Sequence, residues 1–160
     1  MPIGPTYIAL GSNLGDREAN LRSAVILLDE IDGAGVLRLS HFIETDPAGG
    51  IPQGKYLNGV VEIETTLAPL ELLEDLHVIE RSLGRDRSQE RRWGPRTCDL
   101  DILLMGDTVL ATPELTIPHP RMHERLFVLE PLAELAPDAM HPVLHKTIAQ
   151  LLKDHISVRP

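Results

Sequence analysis

The chain has 160 residues, with 15 Lys and Arg against 24 Asp and Glu and a formal net charge of −9. That length is expected to form one domain able to bury about two-thirds of its unfolded surface. A balance this acidic argues against general affinity for nucleic acid, and no apolar run approaches the roughly 18 residues of a membrane span.

Tyr7-Ile8-Ala9-Leu10 reads as a first strand, ended by Gly11-Ser12-Asn13-Leu14-Gly15 as a strand-to-helix turn with a helix cap. The turn lacks the Gly-Lys-Ser/Thr ending of a phosphate loop and the spacing of a dinucleotide fingerprint. A helix follows from about Asp16, with Leu21, Ala24, Val25 and Leu28 on one stripe and Gly33 and Gly35 at its end. Val36 to Glu44 is expected as a second strand and Tyr56 to Thr65 as a third, with Leu57, Val61 and Ile63 facing inward. Tyr56 and Asn58, two apart, then share the other face, where an aromatic wall stands beside an amide able to pair with a donor–acceptor edge. An ordinary half-exposed strand face is the alternative. The connection from Asp46 to Lys55 is rich in Gly and Pro and long enough to act as a lid.

Pro69 opens a second helix, with Leu72, Leu73, Leu76, Ile79 and Leu83 as its apolar stripe and Gly84 as its stop. Glu80, one turn before the end, reads as an exposed helix glutamate. Arg85, Arg87, Arg91, Arg92 and Arg96 then crowd one loop. In an acidic chain this points to a small bound polyanion, a solvated charged loop being the alternative. Trp93 lies in the same polar loop, a poor place for a core residue and a good one for a platform under a flat heterocycle.

Next come Cys98, Leu100, Ile102 and Leu104 alternating with Asp99 and Asp101. In a strand the apolar residues take one face and the two carboxylates the other, their Cα atoms about 6.6 Å apart. Such a pair can converge on one cation or bridge two; a wet acidic face is the plainer reading. With Arg96 three residues upstream, both halves of a metal–polyphosphate site are present. Val109-Leu110 adds a short strand, and helices are expected around Arg125 and Lys146. His119 and His123 have i, i+4 spacing, but Pro118 and Pro120 flank His119 and argue against a helical zinc pair. His41, His77, His141, His145 and His155 form no ligand pattern and are expected mostly at the surface. The lone Cys98 forms no internal disulfide and Met1-Pro2-Ile3-Gly4 is no secretory leader, so a cytoplasmic location is expected. The order strand–helix–strand–strand–helix–strand predicts an α+β, ferredoxin-like antiparallel sheet covered by helices.

Trp93-Gly94-Pro95-Arg96 followed by Asp99-Leu100-Asp101-Ile102 resembles the signature of the 6-hydroxymethyl-7,8-dihydropterin pyrophosphokinase family. Gly11 to Gly15, Thr45 to Asn58, Leu115 to Pro120 and Arg125 to Leu132 agree with it in the same order, over roughly residues 6 to 137. The resemblance implies the same α+β fold and one pyrophosphokinase domain over residues 1–160. It implies transfer of pyrophosphate from ATP to the reduced pterin with release of AMP, in tetrahydrofolate biosynthesis, by a monomer using Mg²⁺, two ions of it. It places Thr45, Pro47, Ala48, Tyr56 and Asn58 around the pterin, with Trp93 and Phe127 near the ring. It places His77, Glu80, Arg87, Trp93, Arg96, Ile102, Thr116, His119 and Arg125 at ATP. Arg85, Arg87 and Arg96 would contact phosphates or assist catalysis, and Asp99 and Asp101 would hold the metals. Ala48 is smaller than the usual residue, Glu114 replaces one that is often basic, and His77 stands where Gln is common. The arginine loop is one residue longer than usual, which leaves Arg91 and Arg92 without a role. Two other uses of these residues exist. RNA binding by the arginine loop is opposed by the net charge and the scarcity of aromatics, and a metal-dependent phosphodiesterase would use Asp99 and Asp101 without any pterin.

Overall fold

In β1 (Thr6–Ser12) and β4 (Tyr56–Thr65) buried residues stand at successive positions rather than alternate ones, so both faces of their sheet must be covered. The computed structural model, which describes residues 4–46, 53–84 and 97–157, has that arrangement. With β2 (Ala34–Leu39) and β5 (Asp99–Met105) the sheet runs in the order β2-β4-β1-β5, every neighbour antiparallel, and β3 (Ile43–Thr45) continues beside β4. Helix α1 (Arg17–Asp29) connects β1 to β2, and α2 (Pro69–Ser82) lies between β4 and β5. This is the ferredoxin-like order that periodicity and punctuation predict.

One face carries the larger core. Leu21, Ala24 and Leu28 of α1 and Leu72, Leu76 and Ile79 of α2 pack on Ile8, Leu10, Val61, Ile63, Leu100 and Ile102. The carboxylate of Asp16 accepts from Ala19 N at 3.1 Å and starts α1, while Gly84, at φ 96°, ends α2 in a conformation that L side chains rarely adopt. On the second face, Val60, Leu103 and Leu104 meet α3 (Leu126–Leu135) through Val128, Leu129 and Leu132, and α4 (Ile148–Ser157) through Ile148 and Leu151. The rest of that face, around Gly11, Asn58 and Asp99, lines a cavity.

Several expectations need correcting. The strand expected over Val36 to Glu44 is two strands. Ser40 breaks it, because its Oγ accepts from Val60 N at 2.9 Å in place of a backbone carbonyl. Leu39 pairs with Val61 and Ile43 with Asn58, so this side of the ladder carries one extra residue, the signature of a bulge. Leu104 does not share the face of Leu100 and Ile102. A register shift opposite Tyr7/Ile8 turns it into the second core. The short strand is Leu110–Ala111 (β6), and it pairs with an unforeseen β7 (Thr116–Ile117). Arg125 caps α3 rather than lying inside it, and a 3₁₀ turn, Met122–Glu124, precedes it. Glu80 is 1% exposed instead of solvated, and His141 is buried rather than at the surface. Cys98 is fully buried in the larger core, as its alternation predicts.

Candidate active site

Strand register builds the site. Gly11 pairs with Asp99 on one side and Asn58 on the other, and Asn58 in turn pairs with Ile43. One row further along, Ala9 lies between Asp101 and Val60. Residues directly opposite in a ladder project to the same face, so both carboxylates, Asn58 and the two small residues of β1 share one surface. That surface floors a cavity of about 600 Å³, whose walls include Thr45, Tyr56, Asn58, Asp99, Asp101, His119, Arg121, Arg125 and Phe127. The Asn58 amide is oriented by donation from Nδ2 to Thr45 Oγ1 at 2.6 Å.

The turn after β1 and the first residue of α1 hold the C-terminal end of the Asp46–Lys55 connection. Asn13 Nδ2 donates to Gln53 Oε1 at 2.7 Å and to Gly54 O at 3.1 Å. Arg17 donates to Lys55 O at 2.9 Å and to Glu44 Oε2 at 3.1 Å. Glu44 and Lys55 are the neighbours of Thr45 and Tyr56, themselves a cross-strand pair, so these bonds fix one wall of the cavity.

Strand β5 is an edge of its sheet, and its outward polar groups need partners. Glu80 Oε2 accepts from Leu100 N at 2.8 Å, and His119 N donates to Leu103 O at 3.0 Å. The first bond pins the residue between the two carboxylates. The second brings the Leu115–Pro120 segment against the same strand. A second cavity of about 300 Å³ opens there, lined by Leu73, His77, Asp101, Ile102, Thr112, Glu114, Thr116 and His119 among others. Asp101 and His119 line both cavities.

His119 is electrostatically distinctive. Burial, then the Arg125 charge, lowers its pKa from 6.5 to about 4; Arg121 adds to this and Asp99 opposes it. Its Nδ1 accepts from Arg121 N at 3.2 Å, so the neutral ring carries its proton on Nε2, as a donor. Burial and the neighbouring His123 and His145 also lower the pKa of His141. The unfolded chain takes up these protons near pH 6.5. Stability is therefore full above that pH and is lost as pH falls towards about 4. Melting of ligand-free protein between pH 7 and 4 is expected to show this fall, less steeply in His119→Asn; a parallel profile in that variant would mean that His119 titrates normally.

The structure thus joins Thr45, Tyr56, Asn58, Phe127, Asp99, Asp101, His119 and Arg125 in one cavity and His77, Ile102 and Thr116 in the other. Glu80 is in neither wall and sits behind β5. Pro47, Ala48, Arg85, Arg87, Arg91, Arg92, Trp93 and Arg96 lie outside the described residues. Reading the sequence missed Arg121 and Glu124 as cavity residues; the charge density of Arg121 to Arg125 was the available signal.

Two cavities that meet at Asp101 and His119, with arginines in the wall of the larger, describe a small α+β enzyme that brings two substrates together for phosphoryl-type transfer. The family model described as 7,8-dihydro-6-hydroxymethylpterin-pyrophosphokinase (HPPK) matches residues 7–137. The chain is 57% identical over 129 residues to the 2-amino-4-hydroxy-6-hydroxymethyldihydropteridine pyrophosphokinase of Bacillus subtilis, covering 81% of this chain and 76% of that one. It is 41% identical over 146 residues to the folic acid synthesis protein fol1 of Schizosaccharomyces pombe, covering 91% of this chain but only 20% of that longer protein. A Plasmodium falciparum HPPK-DHPS structure with pteroate superposes with a TM-score of 0.74 at 16% identity, over 96% of this chain and 41% of that one, a likeness of fold. The chain belongs to the HPPK family and is a pyrophosphokinase.

Proposed function

We propose that the larger cavity takes 6-hydroxymethyl-7,8-dihydropterin, the smaller takes ATP, and pyrophosphate passes between them at Asp99 and Asp101, a step of folate biosynthesis. The observation that carries this reading is that Asp101 and His119 belong to both cavities. The pterin hydroxyl oxygen attacks the β-phosphorus, the bond from that phosphorus to the oxygen bridging to the α-phosphorus breaks, and AMP leaves with that oxygen. The hydroxyl proton is released.

Asn58, its Nδ2 engaged by Thr45, offers Oδ1 to the ring's donor edge, with Tyr56 and Phe127 as walls. Neutral His119, in the walls of both cavities, donates from Nε2 to a phosphate oxygen, and Arg121 and Arg125, in the wall of the larger one, offset charge on the transferred group. Arg85, Arg87, Arg96 and Trp93 are assigned to ATP and the phosphates by the resemblance alone, and Pro47, Ala48 and again Trp93 likewise to the pterin; Glu80 acts on this site through β5.

Among the described residues no group of three His, Cys, Asp or Glu is placed to hold a metal. A pair of carboxylates fits Mg²⁺, which keeps several waters and takes its remaining ligands from substrate phosphates. Asp99 and Asp101 would hold two such ions, and bound Mg²⁺ supplies charge neutralisation and alignment of the phosphates. The family match over residues 7–137 supports one pyrophosphokinase domain over residues 1–160, and a monomer is its working unit in this reading. No helix among the described residues is long and apolar enough to cross a membrane, and the buried thiol of Cys98 suits a reducing, cytoplasmic setting.

Product identity tests the reading. With Mg²⁺, ATP and the pterin, AMP and pterin pyrophosphate are expected in equal amounts, dependent on both metal and pterin. ADP as the main product, or AMP formed equally well without pterin, would overturn it.

A further inference from the structure

Helix α4 lies beyond residue 137, where the family match ends, yet it reaches the wall of the larger cavity. Ile148, Leu151, Leu152 and His155 recur at the i, i+3, i+4, i+7 spacing of one helical stripe, and the first three pack in the second core. An apolar residue would extend that stripe at position 155. Instead, His155 Nε2 stands 3.2 Å from Glu124 O. A carbonyl only accepts, so Nε2 carries a proton and donates. The other ring nitrogen, Nδ1, is shut off from solvent, and among the described residues no partner reaches it. A polar atom buried in that way is destabilising, so packing alone would favour leucine here. What the histidine adds is the bond to Glu124.

That carbonyl belongs to the peptide joining Glu124 to Arg125, and both residues line the larger cavity. Arg125 also starts α3, its carbonyl accepting from Val128 N and Leu129 N at 3.0 Å. Its guanidinium carbon lies 5.7 Å from the centroid of the Phe127 ring, another wall of the cavity. Turning the Glu124–Arg125 peptide therefore re-aims both a charge and an aromatic wall. One residue earlier, the ring of His123 meets the buried His141 edge-on, their centroids 6.4 Å apart, so the C-terminal segment holds this turn at two successive residues. We propose that His155 is a positioning residue for pyrophosphate transfer. Its Nε2–H fixes the Glu124–Arg125 peptide, and through it the direction of the Arg125 guanidinium. The inference rests on the role given above to Arg125 at the transferred group. It adds that a helix outside the family-matched span governs the rate.

Three substitutions in the full-length chain separate the donor from the packing. Leucine at 155 fills the stripe and donates nothing, whereas glutamine carries an amide nitrogen about as far from the backbone as Nε2. His155→Leu is expected to lower kcat on the order of tenfold, because a misplaced charge beside the reacting atoms is costly. KM for ATP should stay within a fewfold of wild type, and the melting temperature should hold, the buried leucine offsetting the lost hydrogen bond. His155→Gln should restore most of kcat. Leu151→Ala loosens the same helix without touching Glu124, so it should lower the melting temperature and spare kcat when all variants are assayed well below melting. A wild-type kcat in His155→Leu, a His155→Gln as slow as His155→Leu, or the same loss in Leu151→Ala overturns the proposal. If wild type forms no AMP from ATP and the pterin, the reading of the larger cavity fails and this inference with it. If wild type forms AMP and only the comparison among variants fails, that reading stands and the role of His155 falls.

Discussion

Asp99→Ala and Asp101→Ala are each expected to lower pyrophosphate transfer by a thousandfold or more, on the order of the several kcal/mol that metal ligation contributes to a transition state. Neither change should unfold the protein. Both side chains are half-exposed on the cavity floor, while Leu100 and Ile102 carry the packing of the same strand. Each substitution removes one of two like charges on the same strand face, so ligand-free melting should change little. Asn in place of Asp keeps the shape and loses the charge, and it separates electrostatics from sterics. Steady-state AMP release with a melting curve decides the matter. Activity within a fewfold of wild type in either variant would locate the metal elsewhere.

Glu80→Ala is expected to combine a loss of stability with a loss of activity. The substitution strands the Leu100 N–H, which the buried carboxylate accepts at 2.8 Å. An unsatisfied buried donor costs about 1–3 kcal/mol, equivalent to a fall in melting temperature of roughly 2–4 °C per kcal/mol in a chain of this size. Because Leu100 stands between Asp99 and Asp101, loosening it also misplaces both carboxylates, so the variant that remains folded should turn over more slowly. Glu80→Gln retains an acceptor oxygen and should recover most of the stability. A melting temperature unchanged in Glu80→Ala would show that water or another group takes over the Leu100 N–H.

The edge of β5 also marks where reading the sequence stops. Period-two alternation is a local property of a strand, so the shared face of Asp99 and Asp101 is legible in Cys98 to Ile102 and is the face observed. Helix stripes are equally local, and Leu21, Ala24 and Leu28 or Leu72, Leu76 and Ile79 stand buried as their spacing predicts. Leu104 departs from its alternation because a bulge arises from pairing with Tyr7 and Ile8, distant residues that its own segment does not contain. Ser40 likewise divides a strand only because Val60 N is there to meet its hydroxyl.

Glu80 looks like any polar residue on a helix until the sheet order makes β5 an edge with an outward N–H to satisfy. What the sequence shows of the site lies in residue types at short spacing: paired carboxylates on one strand face, and an aromatic and an amide on another. Which residues meet was decided by antiparallel register, since it sets Asn58, Gly11 and Asp99 in one row although they are far apart in the chain. Spacing along a strand is fixed by covalent geometry, and neighbours across strands are fixed by which hydrogen bonds the whole sheet can close together.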